Sequence, residues 1–418
     1  MGPRLRGDDR RVVSSMSSQS RSIFRWREIP GSVWALGLVS LFMDLSSEMI
    51  HALLPLYLVS VLGASTLTVG FIEGIAEAAA SITKIFSGAL SDFLGRRKLL
   101  AALGYGLAAF TKPVFPLASG IAWLTAARFV DRIGKGIRGA PRDALVADLT
   151  PADLRGTAYG LRQSLDTIGA MIGPFFAIVF MAVLADNFTA VFWIAVVPAF
   201  VSLAIIVFAV REPELSPESR PVRSPFSRAE LGRLSTAYWL VAGVSAVFTL
   251  ARFSEAFLLL RAQSAGLPLT FVPIVMVVMN IVYTLSAWPA GALSDRVGRY
   301  RVIIAGFTIL VLADLVLAVG NNVSTVILGV ALWGLHMGLT QGLLAAMVAD
   351  TAPPELRGTA FGMFNLVSGI ALLAASIIAG ALWDMIGPGG TFFAGALFTA
   401  LALVVMPLAH RKAAKASA

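Results

Sequence analysis

Apolar runs of roughly twenty residues, separated by short polar breaks, fill the chain from about position 33 to 409. Crossing a hydrocarbon layer about 30 Å thick takes about 20 residues at about 1.5 Å each, so every run is long enough to span a membrane as a helix. Twelve spans are predicted, at 33–61, 68–91, 98–118, 121–146, 157–184, 189–210, 237–261, 268–293, 301–319, 324–349, 358–384 and 390–409. One long polar stretch interrupts them, at 211–236, and its proline and serine content predicts a linker between two six-helix bundles, 33–210 and 237–409. Residues 1–32, rich in Arg and Ser with no apolar core, read as a disordered basic tail and not as a removed signal peptide, and 410–418 as a second short tail. The expected fold class is an all-α membrane protein.

Composition agrees and sets limits. At 57% hydrophobic and 14% charged, the 418 residues depart from the soluble norm of about 45–50% and about 25%, which excludes a soluble globule. The net charge of +9 does not indicate nucleic acid, because nucleic-acid modules are polar chains with a cationic face. Its distribution is topological. If both termini share one side, that side holds 27 of the 33 Lys and Arg, which predicts cytoplasmic termini. The compact loops and composition suit a bacterial inner membrane. With no cysteine, disulfides, thiolate nucleophiles and thiolate-bound metals are excluded. No Ser/His/Asp constellation suggests hydrolysis, so neither enzyme activity nor a cofactor is expected.

Two internal repeats fix the architecture. GALSDFLGRRKLL begins at Gly88 and GALSDRVGRYRVI at Gly291; ADLTPADLRGTAYG begins at Ala147 and ADTAPPELRGTAFG at Ala349. Their offsets, 203 and 202 residues, agree. Two independent repeats at one spacing mean a six-helix unit duplicated in parallel orientation. Physically, Gly88 and Gly291 permit close helix contact. Asp92 and Asp295 can face the positive end of a helix, and Arg96 and Arg299 can pair with Asp148 and Asp350. Arg155 and Arg357 recur at matching positions of the second repeat.

These motifs resemble the major facilitator superfamily of secondary transporters, over about 33–409. The resemblance implies two bundles related by a pseudo-twofold axis, and a gating role for the residues just named when the cytoplasmic side closes. Arg128, Gly134 and Gly136 in span 4 are similar to the family's buried-arginine motif of proton-coupled members, although Asp131 and Arg132 depart from it. Gly160, Gly169, Gly173 and Pro174 in span 5 resemble part of the signature of its antiporters.

A charge at the bilayer centre costs about 2.5–3.5 kcal/mol on translocon scales, so buried charges mark function. Asp44, Glu48, Glu73, Glu77, Asp131, Asp166, Glu255 and Asp314 fall inside spans. Depth arithmetic puts Asp44, Asp131 and Asp166 near the midplane, with Arg128 and Arg132 beside them. Asp44, Glu48 and His51 share one helix face. Burial favours the neutral form of a carboxyl and a nearby arginine the charged form, so movement of Arg128 or Arg132 could load and release a proton. Asp44 is expected as the main proton site and Glu48 as its relay. Lys112 is expected to pair with Glu73, Asp314 to be an ion-paired support, Lys84 to reach toward the surface, and Arg252 with Glu255 to form a gate or a pair.

For the solute cavity, His51, Glu77, Phe253, Phe257, Asn280, Tyr283, Trp333, His336, Gln341 and Asn365 are the candidates, a set that suits an amphipathic organic solute. No metal is required, although Asp44, Glu48 and His51 leave a hard or borderline divalent cation as an alternative solute. The sequence therefore points to a monomeric, proton-coupled, alternating-access exporter of a small organic solute. One alternative is an importer or symporter of an anionic solute using Arg128, Arg132 and Lys135. Another is a non-transporting receptor or lipid-handling scaffold.

Overall fold

The computed structural model describes residues 28–94, 96–151, 154–211, 231–352 and 356–416. The basic tail to residue 27, most of the expected linker (212–230) and the last two residues lie outside the described residues. Twelve helical passes follow, each within a few residues of its apolar run. In the first half, α1 covers Gly31–His51 and continues as Leu54–Leu56 and Tyr57–Val61, and α2 covers Thr66–Leu94. Then come α3 at Arg97–Thr111 with Val114–Leu117, α4 at Ile121–Leu149, α5 at Arg155–Val183 and α6 at Phe188–Phe208. In the second half, α7 covers Thr236–Ala251 and Ala256–Ser264, and α8 covers Ile274–Val297. The last four are α9 at Arg299–Val319, α10 at Val323–Thr351, α11 at Arg357–Ile386 and α12 at Pro388–Ala416. Helix α12 thus carries on through most of the stretch expected as a C-terminal tail.

Ten of these passes are apolar enough to be membrane spans by hydropathy and length. The other two, α2 and α4, carry many of the site's charges, among them Glu73, Glu77, Arg128, Asp131 and Arg132. Side chains such as Phe110, Phe208, Leu285 and Val404 stand exposed around the bundle, as a lipid-facing surface requires.

Helices α1 and α7, in equivalent places of the two halves, are both interrupted. Pro55 lacks a backbone donor, and α1 breaks after His51 before it resumes. Helix α7 breaks at Arg252–Glu255. The two distal segments meet at the face opposite the termini, where the Gln263 amide donates to Ser60 Oγ over 2.8 Å.

Packing separates the two faces. Opposite the termini, one apolar core takes residues from both halves, among them Met49, Leu53, Phe115 and Phe192 with Phe257, Met276 and Trp333. On the terminal face each half keeps its own core. Val33, Leu36, Tyr105 and Leu161 form one, and Leu234, Tyr238, Val348 and Leu356 the other. The halves therefore share one core, and each also keeps a core of its own toward the terminal face.

Close helix approach explains several glycines. A Cβ on Gly70 would fall on the Ser376 carbonyl oxygen of α11, and one on Gly380 would lie 2.5 Å from the Thr66 carbonyl oxygen of α2. Those two glycines let α2 and α11 touch along the seam between the halves.

Candidate functional site

A cavity of about 380 Å³ opens between the halves, within the range of about 300–1,000 Å³ for small-molecule sites. Its wall is charged. Asp44 and Glu48 from α1, Glu77 and Lys84 from α2, Lys135, Arg138 and Arg142 from α4 and Asp166 from α5 line it. Asn365 of α11 is the second half's contribution. From Glu77 to Lys84 is seven residues, so the lining runs about 10 Å along α2 toward the terminal face.

Asp44 and Asp166 stand on one wall of the cavity, from α1 and α5. Arg138 Nη2 lies 3.9 Å from Asp44 Oδ1. Arg142 Nη1 and Arg162 Nη1 lie 3.5 and 3.6 Å from Asp166 Oδ1. Arg142 also donates to Ser40 Oγ at 3.0 Å, and the Arg138 guanidinium stacks 4.8 Å from the Tyr105 ring centre. These contacts hold both guanidiniums against the carboxyl pair. Arg138 and Arg142 were not singled out from the sequence, although their spacing of four on α4, two turns beyond Arg132, puts them on its charged face.

Behind the cavity lies a drier network. Arg128 donates to Glu73 over 2.7 Å, and Lys112 donates to Asp131 over 2.9 Å and to Ser47 over 3.0 Å. Arg132 pairs with Glu77 at 3.2 Å. His51 bridges the two layers, with Nδ1 3.2 Å from Glu48 and Nε2 3.6 Å from Glu73. The expected Lys112–Glu73 pair is therefore corrected: both ion pairs reach α4, because Arg128 and Asp131 lie almost one turn apart on it. Arg128 and Asp131 do not line the cavity, so the expected cluster of Asp44, Asp131 and Asp166 divides. Asp44 and Asp166 face the cavity, and Asp131 is sealed behind it.

The second half also requires corrections. Phe253, Phe257, Trp333 and His336 are buried in the shared core, not on the cavity wall. Phe253 packs edge-on against Phe257 and tilted on Trp333, and Trp333 meets His336 edge-on. Asn280, Tyr283 and Gln341 are half-buried and outside the lining. Only Asn365 of this group lines the cavity, so the aromatic setting expected for an amphipathic solute is replaced by a charged one. Asp314, expected to be ion-paired, is fully buried with neither oxygen hydrogen-bonded. It faces Gly395 of α12, where a Cβ would lie 2.7 Å from its Oδ2. Arg252 and Glu255 flank the α7 break without closing into an ion pair.

At the gate, Arg97 and not Arg96 pairs with Asp148, at 2.6 Å. Arg96 and Arg155 are exposed. Gly88 meets Ala140 of α4 at ordinary contact distance, whereas Gly291 faces open space and does not mediate the close contact expected of it. The side chains of Asp92, Asp295, Asp350 and Arg357 lie outside the described residues. The α5 glycines have a packing role: a Cβ on Gly169 would lie 2.4 Å from the Leu41 carbonyl oxygen, and one on Gly173 2.8 Å from Glu48 Cβ. Gly160 faces open space, and Pro174 lies within α5.

One residue that joins the halves was missed from the sequence. Asp384, near the end of α11, accepts hydrogen bonds from the Thr66 hydroxyl at 2.6 Å, the Thr66 amide at 3.1 Å and the Leu67 amide at 2.9 Å. A carboxylate from one half thus caps the first turn of α2 in the other. Nearby, the Thr270 hydroxyl donates to Asp186 over 2.6 Å. These contacts close the face opposite the termini, and no sequence pattern announces them.

The family model described as Major Facilitator Superfamily matches the chain twice, over residues 36–282 and 241–418. The chain belongs to that superfamily. An uncharacterised MFS-type transporter of Methanocaldococcus jannaschii is 34% identical over 381 residues, covering 89% of this chain and 93% of that protein. The inner membrane transport protein YajR of Escherichia coli is 26% identical, over 90% of this chain and 82% of its own. Among solved structures, a mutant form of the nucleoside transporter NupG superposes with a TM-score of 0.79 at 13% identity, covering 90% of this chain and 99% of the other. That likeness concerns the fold. Membership makes the chain a membrane transporter of the MFS type.

Proposed function

We propose that the chain is a proton-coupled secondary transporter, in which the Asp44–Asp166 pair carries the proton and the charged cavity takes the solute. The placement of both acids on one cavity wall, each beside its own arginine, is the observation that carries this reading. Two carboxylates that share a small cavity resist ionising together. Arg138 and Arg142 stand ready to neutralise the pair once that proton leaves. Losing the proton strengthens the Asp44–Arg138 and Asp166–Arg142 pairs, whose members lie 3.9 and 3.5 Å apart. That change pulls α1 and α5 toward α4, and it supplies the differential contact that a two-state transporter needs.

The exporter expected from the span 5 motif is one form of this reading. The α5 glycines are accounted for by their packing on α1, so the direction of coupling turns on the solute's charge. A cation would compete with the proton for the same carboxyls and be exchanged for it. An anion would bind better with the proton present and travel with it.

Proteoliposomes with an imposed pH gradient test the proposal. Asp44→Asn and Asp166→Asn are each expected to abolish uphill solute movement driven by the gradient while preserving solute counterflow. Wild-type pH-driven accumulation in both variants would overturn it.

A further inference from the structure

We infer that the cavity is built for a solute bearing an anionic group, a carboxylate or a phosphate, held between Lys84 and Lys135. The inference rests on the reading of the cavity as the solute site and names the class of solute.

Most charges on the cavity wall already have partners. Asp44 and Asp166 have Arg138 and Arg142, Glu77 has Arg132, and Glu48 has His51. Lys84 and Lys135 do not: both ammonium groups lie beyond 4 Å of every carboxylate among the described residues, and both side chains are exposed into the cavity.

Their placement is built. Gly136 follows Lys135 on α4, and a Cβ there would lie 2.6 Å from Thr83 Cβ, 2.7 Å from the Ala80 carbonyl oxygen and 3.1 Å from the Lys84 backbone nitrogen. Only a bare backbone lets α4 approach α2 this closely. The aliphatic stem of Lys84 then lies against Gly139, with Cε 3.8 Å from the position of an added Cβ. The two lysines consequently emerge from touching helices into one cavity. Like charges so placed repel, and an anion between them converts that repulsion into two attractions. Lysine acts as a point charge on a flexible stem, so the pair accepts carboxylate and phosphate geometry alike.

Arg128 and Arg132, the arginines expected to bind an anion, are occupied by Glu73 and Glu77. Lys84 takes their place beside Lys135. Asn365 reaches the same cavity from α11 and offers an amide from the second half. A solute bridging the lysines and Asn365 would touch both halves, as alternating access requires. With the carboxyl pair protonated, the wall carries one more positive charge, so anion and proton reinforce each other. The coupling mode that follows is cotransport.

The test is thermal stabilisation of the full chain in phosphatidylcholine nanodiscs, at fixed pH and constant ionic strength, with probes matched in pairs. Suitable pairs are succinate with succinamide, glucose 6-phosphate with glucose, and glycerol 3-phosphate with glycerol. At least one anionic member is expected to raise Tm while its neutral partner does not. Lys84→Gln and Lys135→Gln are each expected to weaken that effect about tenfold or more, and Lys84→Arg to retain most of it. Without ligand, the glutamine variants should melt no lower than the wild type, because each removes one of two neighbouring cations. Stabilisation by neutral partners as strong as by anions would overturn the inference. So would a response to chloride alone, no response in any pair, or unchanged anion binding in both glutamine variants. Because no pH gradient is present, the outcome is separate from that of Asp44→Asn: anion binding can stand while proton coupling fails, and the reverse.

Discussion

At the residue scale, the buried charges sort by what they face. Those on the cavity wall can exchange partners, and those behind it are fixed. The Lys112–Asp131 pair belongs to the second group, with both side chains almost fully buried and Ser47 completing the lysine's contacts. Removing one member leaves the other charged and desolvated, a loss of about 3–5 kcal/mol, whereas replacing both with apolar residues of similar size is close to neutral. Lys112→Ala is therefore expected to lower Tm sharply, and the double variant Lys112→Met/Asp131→Leu to recover most of the loss. Thermal melts of both in detergent, with transport measured alongside, check this. Which acid meets which base was not legible in the sequence. Spacing gave depth along each helix but not rotation, so Lys112 and Glu73 matched in height while α4 stood between them.

At the element scale, the contacts between the distal segments of α1 and α7 and the capping of α2 join the halves at the face opposite the termini. Asp384 accepts from two backbone amides and one hydroxyl on the far half, so it holds that face closed from a single side chain. Asp384→Ala is expected to shift the population toward the state open at that face. Spin labels at Val61→Cys and Ser264→Cys should report longer distances in this variant than in a background with Asp384 intact. The chain's lack of native cysteine makes such labelling clean. Helix existence was legible because an apolar run must satisfy its backbone within itself. The cap was not, because Thr66 and Asp384 are 318 positions apart and no local pattern requires either.

At the scale of the whole molecule, duplication and asymmetry coexist. The repeats build two similar bundles, yet among the described residues the cavity's charged lining comes from the first and only the Asn365 amide from the second. The distribution of cations sets a testable orientation. A cysteine introduced as Arg211→Cys should react with an impermeant maleimide only after the membrane is opened, and Ser65→Cys should react from outside. The reverse pattern would place 27 cations outside and contradict cytoplasmic termini. The sequence by itself determined twelve passes, the duplication, the family and the presence of charge within the spans, because these depend on composition and spacing along one chain. The tertiary structure alone decided the rest. It separated Asp44 and Asp166 from Asp131, placed the second-half aromatics in the core, and left Lys84 and Lys135 without a carboxylate partner among the described residues. Those outcomes depend on helix rotation and on close approaches at Gly70, Gly136 and Gly169, which form only when distant segments pack.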